Sequence, residues 1–332
     1  AFDGDFGGVF YKQTVFAGPG FTQQQIGTTV QRQVIGTKTE LVFPPSEGPP
    51  ISVTTPVYGN VTVPVFRTVP TPRQVLTPVA GRYSGIMITD NDSPRPVDRG
   101  YFGYSYYDGI SSALNPGAPD TAMGRQFLGF EKTVFDDNAS IGMRLPYLQV
   151  YGPPGSGGTA VGDLSILSKW AFYNNKETGN LMSVGMVVTA PTGNGTGVFP
   201  DGSPVPHSVL LQPWGGFVRM YGRGYIQGIS NFLIPTDARD VTLWGNSVAV
   251  GYRLNNDSGF FPAITPVFEA HLRTPLSNRD PNGLIYLQDQ LNLTTGAHFR
   301  WGRFSVSGAT CVPIITPRPW NIEAIGNANF RF

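Results

Sequence analysis

Long apolar runs are missing from this chain. No stretch of about 18 apolar residues occurs, so no membrane-crossing helix can be drawn. Cys311 is the single cysteine among 332 residues, which excludes an intrachain disulfide framework. Charge is thin as well. Asp, Glu, Lys and Arg make up 14% of the chain, well below the roughly 25% of an average soluble protein. The formal net charge of +1 gives no general pull toward nucleic acid. A span built without a helix must be a closed β-barrel, because lipid offers no partner to open backbone groups.

What the chain does hold is unevenly spread. Residues 1–97 read as a Pro-rich extended segment. It contains Phe43-Pro-Pro-Ser-Glu-Gly-Pro-Pro50 and then repeated Val-Thr-Pro steps up to Pro72. Proline at that spacing blocks central strand pairing and favours extended or polyproline backbone. Short strands are expected only around 28–43 and 83–89. From residue 98 to 332 the pattern becomes regular, with candidate strands at 99–107, 125–135, 139–151, 163–173, 181–190, 207–221, 225–234, 241–254, 260–273, 290–301, 303–315 and 320–332. That makes about twelve, each near the length a tilted membrane strand needs. Short turns such as Asp136-Asp-Asn138, Gly222-Arg-Gly224 and Gly302-Arg303 mostly alternate with longer stretches at 108–124, 152–162, 191–206 and 274–289. That alternation suits a barrel with short turns on the periplasmic side and long loops outside. It puts both barrel termini in the periplasm. A mature chain left after signal-peptide cleavage fits the start at Ala1.

The strands have two faces. Ile141, Met143, Leu145 and Tyr147 share one face, with Arg144 opposite. Ile166, Trp170 and Phe172 oppose Ser165 and Lys169. Met182, Val184, Met186 and Val188 oppose Ser183, Gly185 and Thr189. Phe268 and Leu272 oppose Glu269, His271 and Arg273. At the end of the chain Trp320, Ile322, Ala324, Ala328, Phe330 and Phe332 oppose Asn321, Glu323, Asn327, Asn329 and Arg331. Period-2 patterning of this kind fits a soluble sheet with a dry core as well as a membrane barrel. The low charge and the loop alternation favour the barrel, with its polar face lining the lumen. The expected lining is Arg144, Lys169, Glu269, His271, Arg273, His298, Arg300, Glu323 and Arg331. Trp170, Trp214, Trp244, Trp301 and Trp320 are expected in the interfacial girdles. Arginine at Val184 or Phe268 should hurt folding, and polar residues at Gly185 or Thr265 should hurt much less.

Two motifs carry a resemblance. They are Gly162-Asp-Leu-Ser-Ile-Leu-Ser-Lys-Trp-Ala-Phe172 and Met182-Ser-Val-Gly-Met-Val-Val-Thr-Ala-Pro-Thr-Gly193. Both are similar to strand motifs of the phenol meta-degradation-type transporter family of outer-membrane barrels. The closing strand resembles that of bacterial outer-membrane barrels generally, and Asp90-Asn-Asp-Ser-Pro-Arg-Pro-Val-Asp-Arg-Gly-Tyr-Phe-Gly-Tyr-Ser-Tyr-Tyr107 resembles the entry to strand one in planctomycete members. The resemblance covers about 98–332. It implies channel or uptake activity and marks strands and turns rather than chemistry.

No catalytic constellation emerges. His271 and His298 share the lumen face near Glu269, at a spacing that matches no metal-ligand motif. His207, Asp237 and Asp240 could meet at the outer rim as in a barrel protease. Gly152-Pro-Pro-Gly-Ser-Gly-Gly158 lacks the Lys-Ser/Thr of a phosphate loop. Asp3-Gly-Asp5 and Asp90-Asn-Asp92 lack the twelve-residue calcium pattern. No cofactor and no metal is expected. The expectation is an outer-membrane porin-like channel, all-β and of about twelve strands, passing small polar solutes. The alternative is a structural, array-forming envelope barrel that conducts little. Residues 1–97 are expected either to plug the lumen or to reach a neighbouring copy, the second making a homo-oligomer.

Overall fold

The computed structural model describes residues 10–15, 21–42, 49–70, 73–78, 91–110, 113, 115, 121–152, 158–194, 199–256, 258, 261–280 and 282–332. Four strands come first: β1 (Phe10–Val15), β2 (Phe21–Val42), β3 (Ile51–Pro70) and β4 (Arg73–Pro78). Then follow β5 (Arg99–Asp108), β6 (Ala122–Val134), β7 (Ala139–Tyr151), β8 (Gly158–Val161), β9 (Leu164–Asn175), β10 (Asn180–Ala190) and β11 (Leu210–Tyr221). The last are β12 (Gly224–Pro235), β13 (Leu243–Tyr252), β14 (Ala263–Pro275), β15 (Ile285–Tyr286), β16 (Gln290–Trp301), β17 (Phe304–Pro313) and β18 (Ile322–Arg331).

Leaving out the short β8 and β15, the strands from β5 to β18 form one antiparallel sheet of twelve, each beside its sequence neighbour. β18 pairs with β5, which closes the sheet into a barrel. Arg99 sits opposite Arg331, so the barrel domain begins and ends at the same end. β8 adds to β7 beside the long connection that follows it.

The alternation of side chains explains why these segments became strands of a two-sided wall. In β7 the burial alternates from Ser140 to Leu148, with Ile141 and Met143 exposed and Arg144 fully buried. β9 does the same, with Ser165, Leu167, Lys169 and Ala171 inward. Several connections at the Arg99 end are tight. Gly222 and Gly302 take φ of 59° and 53° in two of these turns, a left-handed conformation that glycine adopts without a Cβ penalty.

At the opposite end, beyond Asp108, the longer connections fold over a core of their own. Phe199, Val205, Val241, Ile285 and Leu287 pack there with Leu210, Leu233 and Leu243. β15 lies in the connection between β14 and β16. It pairs with β1, which pairs with β4 in turn, giving a three-stranded sheet.

The chain divides into two compact units, 15–73 and the remainder. The smaller unit is a long two-stranded ribbon in which β2 pairs with β3 from Phe21↔Pro70 to Val42↔Ile51. The irregular, polyproline reading of 51–70 is therefore corrected: this stretch is a 20-residue strand. Pro56 stands opposite Thr37 and Pro64 opposite Thr28. Both strands of a two-stranded ribbon are edges. A proline whose ring nitrogen faces away from the partner costs no ladder bond there. The expected strand at 83–89 lies outside the described residues.

Candidate functional site: the barrel interior

Asn91–Asp98 does not stay at the rim. It enters the interior and binds the inner wall on several sides. Asn91 donates to Asn329 Oδ1 on β18 at 3.0 Å. Asp92 accepts from Arg99 at 3.0 Å and from Arg144 at 3.0 Å, with Lys169 Nζ at 3.8 Å. The carbonyl of Ser93 accepts from Lys169 Nζ at 3.1 Å, and that of Pro94 accepts from Ser183 Oγ at 2.7 Å. Arg95 donates to the carbonyl of Gly179. The segment is thus fastened to β18, β5, β7, β9 and β10 within five residues.

A second carboxylate completes the fastening. Glu131 on β6 accepts from Arg99 at 3.0 Å, from Lys169 at 3.0 Å, from Ser140 Oγ at 2.7 Å and from the Val97 amide at 3.3 Å. Three cations and two carboxylates therefore share one buried network. Taking these charges out of water is costly, and their attraction repays it only when the geometry is good and further hydrogen bonds are made. Both conditions hold here. A network of this kind fixes one arrangement more than it adds net stability.

Glycine makes room for the segment. A Cβ built on Gly216 would lie 2.8 Å from Pro94 Cγ and 2.7 Å from the carbonyl oxygen of Gly228. Where the segment joins β5, Asp98 binds Lys132 Nζ at 2.5 Å and the Thr133 hydroxyl at 2.6 Å, both at the end of β6. The Lys132 bond, followed by the bonds from Thr133, lowers the Asp98 carboxyl to about 2.

The nine residues expected to line the lumen fall into three groups. Arg144 and Lys169 belong to the network just described. Glu269, His271, Arg273 and Glu323 are buried toward the Asp108 end, where His271 Nε2 is 3.4 Å from Glu269 and His271 Nδ1 is 3.0 Å from Ser247 Oγ. His298, Arg300 and Arg331 line a cavity of about 360 Å³ at the Arg99 end. Between the two ends lies an apolar belt of Leu167, Val187, Trp214, Ile229, Ala249, Val267, Cys311 and Ile325.

Several expectations need correction. Trp170 is 60% exposed and Trp244 39%, on the outer face, but Trp214 and Trp320 are buried at 4% and 0%. Trp320 precedes β18 and packs edge-on against Tyr107, with ring centroids 5.5 Å apart. Trp214 belongs to the internal belt. Gly185 is not a tolerant lumen position either. A Cβ there would lie 2.0 Å from the Ser168 carbonyl oxygen and 2.6 Å from the Trp214 ring. The rim grouping of His207, Asp237 and Asp240 does not form: His207 pairs with Asp163 at 2.8 Å, and Asp237 with Arg239 at 2.7 Å. No group of three or more His, Cys, Asp or Glu suited to a metal occurs among the described residues.

Asp92, Arg95, Arg99 and Glu131 were missed as interior charges. Arg99 and Glu131 could have been found, because strand parity puts both on the face of Arg144 through the Arg99↔Glu131 register. Asp92 and Arg95 had no such signal.

No protein-family model matches the chain, and no match is found among the curated proteins. Among solved structures it is similar to the COG4313 outer membrane channel from Pseudomonas putida F1, with a TM-score of 0.54 and 12% identity, over 71% of this chain and 96% of that one. The KdgM porin matches with a TM-score of 0.44 and 6% identity, over 70% and 99%. LpxR from Salmonella typhimurium matches with a TM-score of 0.37 and 12% identity, over 70% and 100%. The likeness to the Pseudomonas channel shows a shared barrel fold.

Proposed function

We propose that the chain is an outer-membrane channel of the porin kind, passing small polar solutes, with Asn91–Asp98 as a constriction in its lumen. One observation carries this reading. The closed barrel turns apolar side chains such as Ile141, Met143, Ile166, Trp170, Phe172 and Phe268 outward, and buries Arg144, Lys169, Glu131 and Glu269 inside. A soluble barrel reverses that order, whereas a membrane barrel requires it. The fold shared with an outer-membrane channel supports the same reading. The finer resemblance to phenol meta-degradation-type transporters rests on the 162–172 and 182–193 motifs. The Arg99 end, with its tight turns, is taken as periplasmic. Swelling of liposomes that hold the purified protein tests the function: small neutral sugars should enter, and entry should fall steeply with sugar size. Liposomes that exclude even glycerol would sink the proposal.

A second reading, an envelope protein that assembles through its N-terminal part, is favoured by the ribbon. Ile26, Val30, Ile35 and Leu41 on β2 and Ile51, Tyr58 and Phe66 on β3 are all exposed. A two-stranded ribbon has two open edges, and isolated ones are marginal in water. A homo-oligomer joined through 21–70 would cover them. Deleting 21–70 should then turn an oligomer in detergent into a monomer. An unchanged oligomeric state would remove this reading.

A further inference from the structure

The cavity at the Arg99 end has a composition that polar-solute passage alone does not explain. Arg95, Arg99, Arg223, Arg253, Arg300 and Arg331 all line its roughly 360 Å³. Among the described residues no Asp or Glu lines it. The nearest carboxylates of the fastening network, Asp92 and Glu131, are already bound to Arg99, Arg144 and Lys169. That network alone carries three cations against two carboxylates. The other five arginines add positive charge beyond it.

The guanidinium groups come from elements far apart in sequence. Arg331 ends β18 opposite Arg99 on β5. Arg300 on β16 stands between Ala263 of β14 and Ser305 of β17. Arg223 sits in the β11–β12 turn and donates to the Leu254 carbonyl at 3.1 Å, which brings it beside the Arg253 segment. Arg95 comes from the segment inside the barrel. The cations therefore face one space from several sides of the barrel. The Nε of Arg300 is buried and has no hydrogen-bond partner among the described residues. A buried donor left unpaired is costly, and a cation left so is costlier. Like charges gathered around one cavity repel, and a bound anion would relieve both penalties.

We infer that this cavity is a binding site for small organic polyanions bearing carboxylate or phosphate groups, and that it makes the channel anion-selective. Guanidinium forks match carboxylate and phosphate oxygens two at a time, which suits a ligand with two or three such groups. The cavity volume lies at the small end of the range for small-molecule sites. This inference rests on the channel reading for its transport consequence, but not for the binding itself.

The test uses the full-length protein at low salt, where screening is weakest. In planar bilayers under a KCl gradient, the reversal potential should show chloride favoured over potassium. Citrate added on the Arg99 side should block the current. In R253Q/R331Q the chloride preference should fall toward unity, and half-block should need about tenfold or more citrate. R239Q, at the opposite end, should behave as the native chain. Thermal unfolding in detergent gives a second readout: citrate and phosphate should raise the midpoint of the native protein, mannitol should not, and R300Q should abolish the rise. A channel that conducts without anion preference and without citrate block overturns the inference while leaving the channel reading intact. A barrel that does not conduct but is stabilised by citrate through Arg300 refutes the channel reading and keeps the site. Absence of both effects removes the site.

Discussion

Asp92→Asn is the perturbation that bears most directly on how the interior is organised. The native carboxylate is fully buried and faces Arg99 at 3.0 Å, Arg144 at 3.0 Å and Lys169 at 3.8 Å. Asparagine keeps the size and one acceptor oxygen but removes the charge. Glu131 would then be the one carboxylate left in a network of three buried cations. Breaking a buried pair by removing one partner costs about 3–5 kcal/mol. Because the amide still accepts a hydrogen bond, the lower end, about 3 kcal/mol, is expected. That is a change on the order of 100-fold in the equilibrium that seats Asn91–Asp98. Denaturant unfolding from lipid bilayers, followed by tryptophan fluorescence, measures the loss. Cutting of the segment by an added protease reports whether it has left the lumen. The double mutant D92N/R144Q gives the coupling. Removing one of the stranded cations should recover about 1 kcal/mol or more, so the double variant should lose less than the sum of the singles. A cost for D92N below about 1 kcal/mol, or strictly additive losses, would refute the account of the segment as fastened by this network.

Val184→Arg and Phe268→Arg should each cost about 2–4 kcal/mol in bilayer folding if near the midplane, while Thr265→Ser is mild; equal losses would overturn the assignment of faces. Gly185→Ser should cost about 1–3 kcal/mol despite its inward position, because Trp214 and the Ser168 carbonyl leave no space for a Cβ; wild-type stability would show that the wall yields there. Gly216→Val should push Pro94 away and raise the proteolysis of Asn91–Asp98 without dismantling the barrel, and unchanged protection would count against the close seat. The Asp98 carboxyl, lowered to about 2 by Lys132 and Thr133, contributes stability that is present above its unfolded value near 4 and is lost as pH falls through about 2. Asp98→Asn should therefore lower stability at pH 6 and make no difference near pH 1.5, and an equal effect at both would contradict that linkage.

The barrel strands were legible because lipid enforces a period of two along every strand. β7 and β16 begin and end where the alternation put them, at 139–151 and 290–301. Arg144 and Lys169 could be sent inward by parity alone, since Met143 and Leu145 flank the first and Ile166, Trp170 and Phe172 take the outer face around the second. The segment at Asn91–Asp98 left no such mark. Apart from those to Arg99, its bonds to the wall join residues 34 to 238 positions apart, and a stretch rich in Asp, Arg and Pro reads the same whether it lies on a surface or in a lumen. Trp214 was misread because its own face, with Leu210, Gln212, Gly216 and Val218, is mixed and gives the ring no direction. Trp320 was misread because it lies before β18 begins, where the alternation does not yet apply. The ribbon was missed because the rule against proline holds for strands paired on both sides. β3 is paired on one.

The most direct measurement is single-channel recording of the purified full-length protein in planar bilayers, beside D92N. The account expects small, discrete conductance steps from the native chain and larger or more frequent openings when Asp92 no longer holds the segment in place. A folded, inserted barrel that passes no current in either form would contradict the claim that this is a constricted channel.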